Sequence, residues 1–332
     1  MDKFRRPRAS RARFDRRDHD MRIVVKVGTS TLAHPTGRLN IQRMEKLCKV
    51  LSDLKNMGHE IILVSSGAIA MGFGKLNLSE RPKDVPTKQA SAAVGQCELM
   101  YIYDKLFTEY NHTVAQLLIT APDIEEGGVR KQNFHNTLAR LLELGALPVI
   151  NENDTISTEE FGIGDNDTLS AVVAATVKAD LLILLSDIDG LFDGDPRKNP
   201  DAKLIDTVDI IDEHIISLGG GSGSSLGTGG MATKIGAAEL CMDANIPMLV
   251  ANGDKQGLLY DKSGTVLEYI PNGLRRVRIG KNVRKIDEQF LEECVNSDPR
   301  GGQIGDCGGY WDRLLEFIEV DPENPWFRSD DE

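Results

Sequence analysis

The sequence predicts an α/β fold in which a parallel β-sheet is covered by helices on both faces. Two observations lead to this prediction. Short apolar runs of strand length recur along residues 21–267, and longer segments of helical character separate them. Strands that are apolar on both faces are typical of a parallel sheet buried between two layers of helices. Ligands of such sheets bind beyond the carboxyl ends of the strands, so the residues that follow each strand are the first candidates for a site.

The predicted strands and helices alternate along the chain. The first strand, 23–27, precedes a helix over roughly 40–57, which Gly58 can end because glycine tolerates the left-handed backbone of a helix C-terminus. The further predicted strands are 61–66, 114–119, 146–151, 181–186 and 247–252, and the further helices are about 88–110, 130–144, 168–178 and 230–244.

Two segments outside residues 21–267 lack this pattern. Residues 1–20 are rich in arginine, but four aspartates interrupt the basic run, which a transit peptide avoids. We therefore predict a disordered extension there, with a transit peptide or a nucleic-acid arm as the alternatives. Residues 268–332 contain no further strand–helix series and end in an acidic stretch. We predict a packing appendage or a partly disordered tail for this segment.

The composition restricts the class of protein. The 332 residues carry a formal net charge of −12, which argues against a nucleic-acid partner. No apolar run reaches the length of a transmembrane helix, so no membrane association is expected. The five cysteines are widely spaced and odd in number, which predicts free thiols in a reducing compartment and therefore a cytoplasmic protein. The six histidines show no metal-ligand spacing, so no residue is predicted to bind a metal.

Two lysines mark candidate phosphate-binding elements. Lys26 interrupts an apolar strand, where an ammonium is costly to bury unless it reaches a partner at the strand end. Gly28 follows, with three hydroxyl-bearing residues at 29–31 that suit a phosphate. Lys234 lies in the first turns of a helix that follows the glycine-rich segment 219–230. A snorkelling surface lysine is the alternative for Lys26, and we reject a dinucleotide fingerprint at 227–232 because no strand precedes it.

Polar residues after three other strands complete the candidates. Ser66 and Gly67 form a tight turn after the second strand, although a structural turn explains them equally well. Nine Asn, Asp and Glu residues lie within 151–167, before a helix start that would hold them near a positive helix end. A solvated loop is the alternative for this segment. Ser186 ends the strand 181–186 and Asp187 follows it, and both suit nucleotide contacts or an ordinary turn.

Six motifs in this order resemble the glutamate-phosphorylating branch of the amino-acid kinase family, whose domain also forms the kinase half of pyrroline-5-carboxylate synthases. The combination of NENDT with the later FGIGDND distinguishes this branch from relatives that act on acetylglutamate, aspartate, carbamate or UMP. The resemblance covers residues 21–267, and 268–332 do not resemble the PUA domain of many bacterial members. The motifs are VKVGTS (25–30), SSGAIAMG (65–72), NENDT (151–155), FGIGDND (161–167), SDIDGLF (186–192) and GTGGMATK (227–234).

The resemblance implies a three-layer αβα sandwich with a mainly parallel sheet of about eight strands. It implies transfer of the γ-phosphoryl group from ATP, with Mg²⁺, to the side-chain carboxylate of L-glutamate, the first step of proline biosynthesis. The catalytic residues it implies are Lys26 and Lys234 at the two ends of the transferred group, with Asp167 orienting both. The residues it implies for ATP are Lys26, Gly28, Ser186, Asp187, Thr228, Gly229, Gly230, Met231, Ala232, Thr233 and Lys234, and those for glutamate are Ser66, Gly67, Asn151, Asp154 and Asn166.

The same resemblance leads us to expect feedback inhibition by proline and a homo-oligomer, either a dimer or a tetramer. Two other functions stay open. One is a sister kinase with another acidic acceptor, such as acetylglutamate or aspartate. The other is a non-catalytic module that senses amino acids, which would require the loss of Lys26, Asp167 or Lys234, and all three are present.

Overall fold

The fold is taken from a computed structural model of the chain. The structure describes residues 21–124, 128–157, 166–220 and 230–253, together with the backbone of 264–267. The two predicted extensions, 1–20 and 268–332, therefore lie outside the described residues.

The described strands form one mainly parallel sheet of eight, as predicted. Its spatial order is β3-β4-β2-β1-β5-β7-β8-β6. Each neighbouring pair is parallel except β7 with β8, which is antiparallel. The strands are β1 (Arg22–Val27), β2 (Glu60–Ser65), β3 (Val114–Ile119), β4 (Leu147–Glu152), β5 (Leu181–Ser186), β6 (Thr207–Val208), β7 (Met248–Asn252) and β8 (Gly264–Leu267).

Helices cover both faces of this sheet. Successive side chains of a strand point to opposite faces, so Val24 of β1 joins one hydrophobic cluster while Val25 joins the other. The Val24 cluster includes residues of α6, α7 and α9, and the Val25 cluster includes residues of α2 and α4. The predicted three-layer arrangement is confirmed. The helices are α1 (Thr29–Leu32), α2 (Ile41–Asn56), α3 (Ala68–Lys75), α4 (Val85–Thr108), α5 (Ala121–Ile124), α6 (Val129–Glu143), α7 (Asn166–Val177), α8 (Glu213–Leu218) and α9 (Met231–Asp243).

None of the helices within the described ranges is long and apolar enough to cross a membrane.

Two glycines allow α3 and α4 to approach each other closely. A Cβ atom added to Gly95 of α4 would lie 1.8 Å from the carbonyl oxygen of Ala68, the first residue of α3. A Cβ atom on Gly72 of α3 would lie 1.7 Å from the carbonyl oxygen of Ser91. Both distances are far below contact, so any side chain at either position must push the two backbones apart. The pair therefore sets the distance of α4 from the turn that follows β2.

We predict that Gly95→Ala lowers the free energy of unfolding by about 1–3 kcal/mol, the usual cost of overpacking. The matched control is Gly236→Ala in α9, where nothing lies within 4 Å of the added Cβ atom. Because alanine favours the helix more than glycine does, the control should gain up to about 1 kcal/mol. Urea denaturation of both variants measures the difference, and equal unfolding midpoints would contradict the close approach.

Candidate active site

The candidate site lies at the carboxyl ends of the central strands. Strands β4, β2, β1 and β5 are neighbours in the sheet and run parallel, so their carboxyl ends meet at one edge. Lys26 lies one residue before the end of β1, Ser66 directly follows β2, Asn151 lies near the end of β4, and Ser186 ends β5. Helix α7 begins at Asn166 and brings its first turn to the same edge.

A buried carboxylate joins the two predicted lysines. The Lys26 Nζ atom lies 2.6 Å from Asp167 Oδ1, and Lys234 Nζ donates to Asp167 Oδ2 at 3.0 Å. The side chain of Asp167 is 0% exposed, and those of Lys26 and Lys234 are 10% and 6% exposed. Lys26 is therefore not a snorkelling surface residue. The sequence separates the lysines by more than two hundred residues, and the sheet brings both to one carboxylate.

The charge of this cluster follows from the pKa of Asp167. Burial alone would raise that pKa, but the ammonium groups of Lys26 and Lys234 outweigh burial and lower it to about 2. Asp167 is therefore ionised at neutral pH. One carboxylate between two ammonium groups leaves a net positive charge in a buried place, which suits an anionic group arriving there.

The start of α9 is tied to the same carboxylate. The Thr233 hydroxyl lies 2.9 Å from Asp167 Oδ2 and 2.8 Å from the carbonyl oxygen of Gly230, and it accepts from the Gly230 N–H group at 3.1 Å. Met231 and Ala232 occupy the first turn, which carries no acidic residue. The first N–H groups of a helix lack intrahelical partners and favour phosphate. Thr228 and Gly229, the other predicted ATP residues of this segment, lie outside the described residues.

Three of the predicted glutamate residues belong to one hydrogen-bonded network. Asn166 Nδ2 lies 2.8 Å from Ser66 Oγ, 3.0 Å from Asn151 Oδ1 and 3.2 Å from the Ser65 carbonyl oxygen. We call these side chains, together with Gln96, the amide network, because Asn151 Nδ2 also donates to Gln96 Oε1 at 2.9 Å. The network connects β2, β4, α4 and α7 at the sheet edge.

The two remaining predicted glutamate residues lie in the adjoining turns. Gly67 precedes α3 with a φ of 101°, a left-handed conformation that favours glycine. Asp154 lies in the turn after β4 and is partly buried. Burial, with a further contribution from the charge of Glu152, raises the pKa of Asp154 to about 6. Asp167 already has two lysine partners, whereas a positively charged ligand beside Asp154 would stabilise its ionised form.

The remaining predicted ATP residues lie at the junction of β1 and β5. The Gly28 N–H group donates to the Leu185 carbonyl oxygen at 3.2 Å, and a Cβ atom on Gly28 would lie 3.8 Å from Lys26 Nζ. Ser186 Oγ lies 3.2 Å from Asp187 Oδ1, and Arg197 donates to the other oxygen of Asp187 at 3.0 Å. The first contacts place Gly28 beside Lys26 and next to the end of β5, where Ser186 follows Leu185. The roles of Gly28, Ser186 and Asp187 toward ATP stay predictions.

Sequence reasoning missed three contributors to the site. Gln96 carries the amide network into α4, Thr233 binds Asp167 in addition to its predicted place near ATP, and Arg197 pairs with Asp187. The small residues of 89–100 indicate close packing of that helix and leave a contribution to substrate binding open. A buried glutamine among them has no periodic signal, because its significance depends on a partner 55 residues away.

Comparison with known proteins places the chain among kinases. The model of the "Amino acid kinase family" matches residues 21–252. The glutamate 5-kinase of Clostridium acetobutylicum is 52% identical over 255 residues, covering 75% of this chain and 94% of that protein. The glutamate 5-kinase of Caldanaerobacter subterraneus subsp. tengcongensis is 49% identical over 280 residues, covering 82% of this chain and 75% of that protein.

Solved structures with little sequence identity share the fold alone. Carbamate kinase from Giardia lamblia bound to AMP-PNP matches with a TM-score of 0.54 at 15% identity, covering 76% of this chain and 100% of that one. UMP kinase from Ureaplasma parvum matches with a TM-score of 0.52 at 16% identity, covering 75% of this chain and 99% of that one.

Proposed function

The chain belongs to the amino acid kinase family, and on that premise we propose that it transfers the γ-phosphoryl group of ATP to the side-chain carboxylate of L-glutamate. The product is γ-glutamyl phosphate, and the reaction is the first step of proline biosynthesis. The observation that carries the proposal is the buried Asp167 carboxylate held between Lys26 and Lys234. The named acceptor rests on the relatives that are glutamate 5-kinases.

The proposed reaction needs electrostatic stabilisation and no general base. The glutamate side chain has an ordinary pKa of about 4.3, so it attacks as a carboxylate at neutral pH. A bond forms between its oxygen and the γ-phosphorus, the bond from that phosphorus to the bridging oxygen breaks, and ADP leaves with the electron pair. Negative charge spreads over the transferred oxygens during this step. Lys26 and Lys234 stabilise that charge, and Asp167 holds both ammonium groups in place.

Magnesium enters this proposal as part of the substrate MgATP. Within the described ranges, no group of three His, Cys, Asp or Glu side chains is arranged to hold a metal ion. Phosphate oxygens of ATP, together with water molecules, would supply most of its ligands, as is usual for this ion. The bound ion neutralises charge on the β- and γ-phosphates, while the protein side chains act on the transferred group and the acceptor.

Asp154 is the carboxylate best suited to the α-ammonium group of glutamate. Asp167 is already paired with two lysines, whereas burial leaves Asp154 with a pKa of about 6. An ammonium beside Asp154 would favour its ionised form. The amide network, which contains Ser66, Asn151 and Asn166, offers further hydrogen bonds to the amino acid.

We predict that the KM for glutamate rises as the pH falls below about 6, because protonation removes the charge of Asp154. The rise approaches about tenfold per pH unit once the carboxyl group is mostly protonated. The turnover number at saturating glutamate should change less, since the acceptor carboxylate stays ionised down to about pH 5. Steady-state kinetics between pH 5 and 8 measures this. In the Asp154→Asn control the KM is high throughout, and a flat wild-type profile would contradict the assignment.

An acceptor assay tests the proposed function directly. The purified chain is incubated with MgATP and glutamate, acetylglutamate or aspartate, ADP release is followed, and hydroxylamine traps the acyl phosphate. Glutamate is expected to give ADP and a hydroxamate. Turnover with acetylglutamate or aspartate but not with glutamate would identify a sister kinase. No turnover with any acceptor would favour the non-catalytic module.

Three further proposals rest on the family. We propose that residues 21–267 form the kinase domain, that proline inhibits by competing with glutamate, and that the chain assembles as a dimer or tetramer. The cytoplasmic location proposed from the cysteine pattern agrees with the free Cys48, Cys97 and Cys241.

A further inference from the structure

Gln96 is a buried polar side chain that the proposed reaction does not use. It lies in α4 and is 7% exposed. Its Oε1 atom accepts a hydrogen bond from Asn151 Nδ2 at 2.9 Å, and its Nε2 atom is buried without a hydrogen-bond partner in the described part of the chain. A buried donor left unpaired is costly, so glutamine is a poor choice here if packing alone matters.

Backbone groups determine the orientation of each amide in the network. The Glu152 N–H group can only donate, and it donates to Asn151 Oδ1 at 2.9 Å. Asn151 must therefore turn Nδ2 toward Gln96, which has to present an oxygen. The Ser65 carbonyl can only accept, and it lies 3.2 Å from Asn166 Nδ2. The polarity of the whole network thus follows from two backbone groups.

This polarity leaves an acceptor at the substrate end of the network. With Asn166 Nδ2 directed at Ser65, Ser66 and Asn151, the Asn166 Oδ1 atom is buried and has no partner within the described ranges. A buried acceptor next to the proposed glutamate residues suits a donor on the substrate. The α-ammonium group is the only strong donor that glutamate carries at neutral pH.

The backbone of α4 is held where Gln96 can act. Its neighbour Gly95 packs against Ala68, the first residue of the helix that follows the Ser66–Gly67 turn. The Gln96 side chain therefore extends from a backbone that lies at a fixed distance from the proposed glutamate site.

We propose that Gln96 is a further positioning residue for substrate selection, and this proposal rests on the proposed function. It acts through Asn151: its oxygen holds the Asn151 amide, which in turn accepts from Asn166 and keeps Asn166 Oδ1 directed at the α-ammonium group. The consequence is selectivity for an amino acid over the dicarboxylate of the same length that lacks the amino group.

The test compares glutamate with glutarate, which lacks the α-ammonium group, by calorimetric binding and by kinetics. In Gln96→Met, which keeps the length of the side chain but removes its acceptor, glutamate affinity and kcat/KM should fall about tenfold. The affinity and kcat/KM for glutarate, and the KM for ATP, should stay within about twofold of the wild-type values. Gln96→Glu restores an acceptor oxygen and should recover most of the selectivity. Gln132→Met, on the exposed surface of α6, serves as the control for the substitution.

Equal losses for glutamate and glutarate, or a loss for ATP as well, would show a merely structural role and overturn the proposal. Unchanged glutamate affinity in Gln96→Met would overturn it too. The calorimetric binding measurement distinguishes a failure of this proposal from a failure of the proposed kinase function. Wild-type protein that binds glutamate without turnover contradicts the kinase proposal alone, and wild-type protein that does not bind glutamate overturns both.

Discussion

Replacing Lys234 by alanine is expected to lower the turnover number for phosphoryl transfer to glutamate at least ~10²-fold, comparable to removing one transition-state donor. Lys234 lies in the first turns of α9, whose free N–H groups favour phosphate, and its ammonium group donates to Asp167. Its loss removes one of the two positive charges that face the transferred group. Glutamate binding should change less. In the part of the chain that the structure describes, the hydrogen bonds of the amide network do not involve Lys234, which donates to Asp167.

The variant should still fold, which makes the loss interpretable. Asp167 keeps Lys26 at 2.6 Å when Lys234 is removed, so its buried charge stays compensated. Initial rates of ADP release with saturating glutamate and ATP measure the effect. Lys49→Ala, at an exposed position of α2, is the matched control and should keep wild-type activity. Near-normal turnover of Lys234→Ala would refute its assigned role.

The strands were predictable because burial on both faces leaves continuous apolar runs. Val114–Ile119 and Leu181–Ser186 agree with the prediction at both ends, and each of the other predicted strands differs by one residue at one end or at both. The start of α4 was placed three residues late, because its first turn depends on Asp84 accepting from the Thr87 N–H group and on a proline that follows the cap. The short β6 and β8 carry too few residues for any period to be visible.

Several residues of the candidate site were predictable from the sequence, but the contacts between them were not. A lysine in an apolar strand has to reach a partner, and the sequence offered several carboxylates between Lys26 and Lys234. The sheet order places β1 between β2 and β5, and that order decides which strand ends share a site. No sequence pattern gives the order, so the glutamine that joins the amide network from α4 could not be predicted.

Replacing Asp167 by asparagine is expected to cost both stability and activity. The variant leaves the ammonium groups of Lys26 and Lys234 buried without their counter-charge, and breaking a buried ion pair on one side costs about 3–5 kcal/mol. Turnover should fall at least as far as in Lys234→Ala, because both lysines lose the group that holds them. Urea denaturation at pH 7 measures the first effect. Asp187→Asn, whose partner Arg197 is exposed, is the control and should cost at most about 1 kcal/mol.

The difference in unfolding free energy between wild type and Asp167→Asn should depend on pH, and that dependence tests the charge of Asp167 itself. Its pKa is lowered to about 2 in the folded protein, against an ordinary value of about 3.9 in the unfolded chain. A lowered pKa means that the stabilisation is fully present above pH 4 and is lost as the pH falls from there toward 2. The stability gap between wild type and Asp167→Asn should therefore narrow over that interval. A gap of equal size at pH 7 and near pH 2 would mean that asparagine is disfavoured by its shape, and the buried charge would then not be what holds the two lysines together.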